Sequence, residues 1–360
     1  MKVVWLTKSS SKYKMELLNR IGEKVSLTVL FLEDKTEYRA SDFYSDLNGN
    51  YTLIELKNLK DADKYIQEAD IFVDSYYASK WGFHCISVAR KYKKHSIIQA
   101  DEGIAIKRFF LVEKAISYFM NRHEYILSSS HVTDKYFNYY IKKPKKTFHY
   151  HFSSLNQSDI EKNAKYYTQK EQFKKELNLD CFVFLSVGQM IPRKGFDILL
   201  KAYAKSGLND STKLFMIGGK PYDELIQLKQ ELHLDNAIFM DAITKEELNK
   251  YYAASDAFVF TTREDIWGLV INEALSFGLP VISSDNCVAA EHFATDENVG
   301  MLIENENIDK FAEAMVKIYE DHALCKEEST KALSAIKKYT IENSANEIVS
   351  MFNCIMKKEA

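Results

Sequence analysis

"TTREDIWGLVINEALSFGLP" spans residues 261–280. It closes an apolar run, Ala257-Phe258-Val259-Phe260, and continues into a segment with helical spacing. Leu269 and Val270 lie four and three residues before Glu273, and Phe277 lies four after it. Residues three and four apart share a helix face, so a carboxylate stands within an apolar stripe. Such a carboxylate needs a partner, because an unpaired interior charge is very costly. Either a neighbouring cation, with Arg193 and Lys194 in view, or a ligand would serve. The order of strand, loop and helix reads as one unit of a parallel α/β sheet. Thr261 and Thr262 stand at the strand end, and the helix runs over Trp267–Phe277.

Outward from this unit the same pattern repeats. In the second half Cys181–Val187, Lys213–Ile217, Ala237–Met240 and Val281–Ser284 read as further strands. The spacing predicts helices over Gly195–Lys205, Tyr222–Leu232, Lys245–Ala253, Ile308–Asp321 and Glu327–Lys338. In the first half the strands are Val3–Thr7, Ser26–Phe31, Tyr51–Leu56, Ile71–Val73, Ser96–Gln99 and Tyr125–Ser128. Helices are expected over Lys12–Lys24, Trp81–Tyr92, Ala105–Asn121 and Thr133–Tyr140. Two such runs predict an α/β protein of two doubly wound domains, 1–152 and 153–338, facing across a cleft. A C-terminal helix over 339–360 is expected to pack back on the first. The boundary follows the basic stretch "KKPKKTFHYHFSSLNQSD" and the strand-like Thr147–Phe152. Doubly wound sheets bind ligands outside the carboxyl ends of their strands, so the loops there are where chemistry is expected.

The totals fit this reading. The chain has 360 residues, 46% of them hydrophobic and 28% charged, as in folded soluble domains. Its five cysteines are scattered, which excludes a close zinc cluster or a disulfide framework and fits a reducing cytoplasm. The N-terminal "MKVVWLTKSS" is too short and polar for a signal peptide, and no stretch of about 18 apolar residues predicts a spanning helix. The net charge of −3 hides an asymmetry: residues 1–150 carry 25 Lys and Arg against 18 Asp and Glu, hence +7, and the remainder −10. A basic half beside an acidic one points to an anionic surface or ligand for the first.

Three loops carry candidate chemistry. In "SVGQMIPRKGFDILLKAYAK" the chain turns at Gly188, and Arg193 and Lys194 stand just before a helix. Two readings fit that pair, a phosphate-binding couple and two solvated charges. In "LFMIGGKPYDE", Gly218-Gly219 closes a strand, either as a plain turn or where a ligand approaches the backbone. In the opening stretch a helix N-terminus offers N–H groups and a positive dipole end to phosphate oxygens, and Gly268 permits close approach. Asp265 precedes Glu273 by eight residues, about two helical turns, so both are expected on one side. Asp265 alone is equally read as a helix cap, and Glu273 alone as half of an internal salt bridge.

Together, "VGQMIPRKGFD", "YYAASDAFVFTTRED" and "WGLVINEALSFGLPVISSD" resemble glycosyltransferase family 4, the retaining nucleotide-sugar enzymes of GT-B fold found in bacterial surface-polysaccharide assembly. The resemblance is strong over residues 180–325 and only architectural over 1–150. It implies two Rossmann-like domains, a first that binds acceptor and a second that binds donor. It implies that Glu273 holds the ribose hydroxyls, which would answer the question of its partner. Asp265 would contact the donor sugar, and Lys194 the diphosphate. The backbone of Trp267, Gly268, Leu269 and Val270 would hold sugar and distal phosphate, with Ile243 near the base and Gly188 and Gly218 lining the site. The family commonly has Glu at the place of Asp265 and Arg at that of Gln189. Arg193 would supply the missing cation.

The first half departs further from the family. Ser9, Ser10 and Ser11 replace paired glycines. Asp101 or Glu102 in "SIIQADEGIA" falls where relatives place a histidine, with His84 and His151 as other candidates. No metal or cofactor is implied, the nucleotide-sugar being a substrate. In this chemistry Arg193, Lys194, Asp265 and Glu102 form the expected catalytic set. The leaving diphosphate is stabilised by cations and helix amides, and the acceptor hydroxyl enters from the same face.

"IAIKRFFLVEKAISYFMNRHEYI" mixes Lys107, Arg108, Lys114 and Arg122 with Phe109, Phe110, Leu111, Tyr118, Phe119 and Met120. It fits an amphipathic helix in a membrane interface, and it fits a packed helix with a solvated edge. Lys142, Lys143, Lys145 and Lys146 extend the basic surface toward anionic lipid. On the first reading the acceptor is a lipid-linked saccharide and the protein cytoplasmic, peripheral at the inner face of the plasma membrane. No nucleic-acid partner is expected. The competing functions are a nucleotide-sugar epimerase, a phosphorylase, or a nucleotide-sugar-binding protein without catalysis.

Overall fold

The computed structural model describes residues 1–8, 11–32, 48–100 and 109–357. The chain divides into two compact units, Met1–Ser154 with Tyr339–Ala360, and Leu155–Lys338.

The first unit is built on seven strands: β1 (Lys2–Thr7), β2 (Ser26–Phe31), β3 (Thr52–Glu55), β4 (Ile71–Asp74), β5 (His95–Ala100), β6 (Tyr125–Ser128) and β7 (Lys146–His149). Their order is β3-β2-β1-β4-β5-β6-β7, and every pair is parallel. Runs such as Val3-Val4-Trp5-Leu6 and Ile71-Phe72-Val73 are buried throughout, as strands covered by helices on both faces must be. Helix Ile341–Met356 returns to this unit and packs on helix Lys12–Gly22. It is tied down by Glu347, which accepts from the His151 backbone N–H at 2.8 Å and meets its ring Nδ1 at 2.7 Å.

The second unit holds β8 (Phe182–Val187), β9 (Thr212–Ile217), β10 (Ala237–Met240), β11 (Ala257–Phe260), β12 (Val281–Ser284) and β13 (Met301–Ile303). The order is β10-β9-β8-β11-β12-β13, again all parallel. The strand order reverses between β8 and β11, which opens a crevice at their carboxyl ends. Helices Phe196–Ser206 and Ile308–Glu320 close one face around Phe184, Leu199, Tyr203, Val259, Ile282 and Met315. Each such side chain contributes roughly 1.5–3 kcal/mol when fully buried, so the frame and not the loops carries the stability.

The structure departs from the sequence expectation in definite places. The helix expected from Trp267 begins at Leu269, and the one expected from Ala105 is Phe110–Met120. The expected Glu327–Lys338 helix is the later part of His322–Ala335, followed by a 3-10 turn. Helix Gln157–Thr168 was not expected, because only Ile160 and Asn163 are buried along it and its apolar period is faint. Helix Val288–Asp296 and the three-residue strand β13 were not expected either.

Candidate active site

The loop after β11 explains why the helix starts late. Gly268 has φ +93°, a left-handed conformation that ends helical geometry on its N-terminal side. A Cβ there would fall 2.4 Å from the Cys287 sulfur. Asp265 therefore lies outside the helix, on a short extended segment that forms a parallel bridge with Cys287. Its N–H donates to the Asn286 carbonyl at 2.9 Å. The expectation that Asp265 and Glu273 align through two helical turns is corrected by this geometry, and so is the reading of Asp265 as a helix cap. The first turn, with Leu269 and Val270, leaves N–H groups without acceptors inside the helix. Trp267 is buried, and its indole N–H donates to Asn272 Oδ1 at 2.8 Å.

The loop after β8 reaches the same end of the sheet. Gly188 follows the strand, and its N–H donates to the Ile217 carbonyl at 2.9 Å. The chain continues through Gln189 into a 3-10 turn, Pro192–Lys194, and then Gly195 with φ +67°. A Cβ on Gly195 would fall 2.0 Å from the Thr261 carbonyl oxygen, so this loop presses on the end of β11. The Thr261 hydroxyl donates to the Gly195 carbonyl at 2.8 Å, and the Thr262 hydroxyl to the Arg193 carbonyl at 3.2 Å. These bonds bring Lys194 to Asp265. The two form an ion pair, 12% and 16% exposed, and the ammonium lies 5.1 Å from the Phe260 ring centroid. A pair this enclosed is less screened than a surface one. Arg193 is turned differently: it is exposed, and its Nη1 donates to the Glu264 carbonyl at 2.6 Å.

Glu273 is partnered by Tyr252. The phenol, on helix Lys245–Ala254, donates to Glu273 Oε2 at 3.0 Å and stacks on Phe277 with centroids 5.1 Å apart. No cation pairs with Glu273 among the described residues, so the internal salt bridge to Arg193 or Lys194 is not formed. Burial is the largest influence on this carboxyl and raises its pKa, against the opposing pull of the Tyr252 hydrogen bond and the Lys245 charge. Burial and the adjacent Glu273 likewise push the Tyr252 phenol well above its ordinary value. A part-buried carboxylate met by one neutral donor keeps acceptor capacity for further hydroxyls.

The remaining residues of the expected site take these places. Gly218 follows β9 and donates from its N–H to the Met240 carbonyl at 3.2 Å. Ile243 lies in the loop between β10 and the helix capped by Thr244. Glu102, with Asp101, lies outside the described residues. His84 and His151 are engaged by Asp63 and Glu347, each at 2.7 Å. A cavity of about 660 Å³ lies at the opposite end of the second sheet, beside Phe182 and Asp256, and includes none of the expected catalytic or donor-binding residues. Tyr252 and Arg263 were missed in the sequence. The spacing of Tyr252 marks it as core, and Arg263 sits in "TTRED" as one more loop charge.

In the first unit, helix Phe110–Met120 exposes apolar side chains. Phe109, Phe110 and Leu111 are 73%, 61% and 63% exposed, with Val112, Tyr118 and Tyr139 beside them. Lys114 lies over the Phe110 ring, Arg122 over Tyr118 and Lys142 over Tyr139. Lys145 is turned inward instead, donating to the Asn121 and His123 carbonyls. Among the described residues no helix is long and apolar enough to cross a membrane.

Residues 168–338 match the family "Glycosyl transferases group 1". The chain is 29% identical over 161 residues to the N-acetylgalactosamine-N,N'-diacetylbacillosaminyl-diphospho-undecaprenol 4-alpha-N-acetylgalactosaminyltransferase of Campylobacter jejuni, covering 44% of this chain and 43% of that one. It is 29% identical over 147 residues to the lipopolysaccharide glucosyltransferase WaaG of Escherichia coli, covering 40% and 37%. The chain thus matches less than half the length of either curated relative. Anabaena Alr3699/HepE, solved in complex with UDP, superposes with a TM-score of 0.78 at 15% identity, over 98% of this chain and 100% of that one. That likeness concerns the fold: two parallel-sheet, Rossmann-like α/β domains of the GT-B type.

Proposed function

We propose that the protein is a retaining glycosyltransferase that moves a sugar from a nucleotide-sugar to a lipid-linked saccharide during bacterial surface-polysaccharide assembly. The observation that carries this reading is the environment of Glu273, a part-buried carboxylate with a neutral partner where a salt bridge was the alternative. A ribose supplies two hydroxyl donors to such a group. The family match over the second unit and the surface-polysaccharide chemistry named for its relatives support the same reading.

In the proposed reaction Lys194 exchanges partners. Without ligand its ammonium is neutralised by Asp265. A bound donor brings two phosphates to Lys194 and sugar hydroxyls to Asp265, so each group trades its mate for substrate. The leaving diphosphate develops charge beside Lys194, Arg193 and the first-turn N–H groups of helix Leu269–Ser276, of which the helix N–H groups are fixed donors that need no reorganisation. The acceptor hydroxyl enters on the face the phosphate leaves, and its proton passes to that phosphate. Glu102 is proposed on the acceptor side.

The acceptor's lipid is read from the first unit. Phe109, Phe110 and Leu111 would enter the interface of an anionic membrane, with Lys114, Arg122, Lys142 and Lys143 at the headgroups. The protein would then work peripherally at the cytoplasmic leaflet. A thermal-shift screen over UDP-, GDP-, ADP- and CDP-sugars tests the donor reading, with stabilisation by one expected and indifference to all contradicting it. Transfer of radiolabelled sugar to a lipid extract separates an enzyme from a mere binding protein.

A further inference from the structure

Arg263 stands two residues before Asp265 and reaches back to the turn that carries Lys194. Its guanidinium forks onto Asp197, Nη1 to Oδ1 and Nη2 to Oδ2, both at 2.8 Å. Nη1 also donates to the Pro192 carbonyl at 2.6 Å, and Nε to Glu306 Oε1 at 2.6 Å. The Arg263 backbone N–H donates to the Arg193 carbonyl at 2.8 Å, and its own carbonyl accepts from Asn286 Nδ2 at 3.0 Å. One residue therefore grips two successive carbonyls of Pro192–Lys194, the first turn of helix Phe196–Ser206 and the loops after β12 and β13. Burial alone would raise the Asp197 carboxyl, but the Arg263 hydrogen bonds and charge hold it below its ordinary value.

We infer that Arg263 is a positioning residue for the donor's diphosphate, fixing the Pro192–Lys194 turn so that the Lys194 ammonium stands beside Asp265. The inference rests on the donor reading and adds to it the residue that sets where the cation stands. The Arg263 partners Pro192, Arg193, Asp197, Asn286 and Glu306 lie in loops and at a helix start rather than in strands, so its bonds organise loops rather than the frame. Lysine cannot replace it, since a point charge lacks the planar fork that holds Asp197 and Pro192 together.

The test is calorimetric titration of the full chain. UDP, GDP, ADP and CDP are screened on the wild type, and the diphosphate that binds is carried forward with its monophosphate. Arg263→Met and Arg263→Lys should each weaken the diphosphate about tenfold and the monophosphate less than about twofold, because only the diphosphate extends to Lys194. Asp197→Asn, which keeps the arginine and loses its fork, should shift the same ratio in the same direction by less. It serves as the second variant if Arg263→Met fails to fold. Equal losses for both nucleotides, or unchanged affinity for both, overturns the inference. Failure of the wild type to bind any of the four overturns the donor reading itself, a different result from equal binding by wild type and variant.

Discussion

The carboxyl ends of the two sheets are organised differently. In the second unit the loops after β8, β11 and β12 are stitched together by side chains bonding to backbone. Thr261 bonds the Gly195 carbonyl, Thr262 the Arg193 carbonyl, Ser284 the Thr262 carbonyl and Asn286 the Arg263 carbonyl. In the first unit the feature that stands out is a helix with its apolar side turned outward, Phe110–Met120. The contrast sets loops that hold groups in fixed places against a helix that exposes an apolar surface. Donor chemistry needs the first kind, because charge developing on a leaving phosphate must meet donors already in position. A lipid-borne acceptor needs only the second.

If the division is right, substitutions at one end leave the other's property alone. The largest effect is expected from Lys194→Ala, which should lower turnover about 100- to 1,000-fold while binding to anionic vesicles is unchanged. Near-normal turnover in the folded variant would break the assignment. Next, Glu273→Gln should weaken nucleotide binding about ten- to a hundredfold by calorimetry, the range for hydrogen bonds to a charged acceptor. Phe110→Glu with Leu111→Glu should reduce partition into anionic vesicles about tenfold or more at low salt and leave nucleotide affinity and folding intact. A loss of nucleotide affinity in that variant would erase the distinction between the two ends.

The smallest effect, and the sharpest in sign, concerns pH. Glu273 has its pKa raised by burial, and the ribose is held by the ionised form, so nucleotide affinity should fall as pH drops through that raised value. Tyr252→Phe removes a hydrogen bond that pulls the carboxyl down, so the midpoint should move up, with affinity a few-fold lower near it. Stability without nucleotide runs the other way. The folded pKa lies above the unfolded one, so this group's contribution is full below the unfolded pKa and is lost as pH rises through the folded value. Glu273→Gln should remove that component from a series of chemical denaturations across the range.

Much of this was legible in the sequence. Strands buried on both faces announce themselves as apolar runs, which is why Ile71-Phe72-Val73 and Ala257-Phe258-Val259-Phe260 are found from composition alone. Lys194, Asp265 and Glu273 were visible because their spacing forms a motif. The start of helix Leu269–Ser276 was not, since it depends on the left-handed backbone of Gly268 and the closeness of Cys287, neither of which a helical period encodes. Tyr252 and Arg263 were hidden for a related reason: what they do depends on partners 21 and 66 residues away. The inward turn of Lys145 was hidden too, because a run of lysines carries no sign of which one finds backbone carbonyls.

The reading stands or falls on what Glu273 holds. A nucleoside diphosphate that binds the wild type should be titrated against its 2′,3′-dideoxy counterpart, into both the wild type and Glu273→Ala. Removal of the ribose hydroxyls should cost the wild type about tenfold or more in affinity and cost the variant little, since the two changes delete the same interaction. Equal losses in both proteins would show that the carboxylate and the ribose never meet.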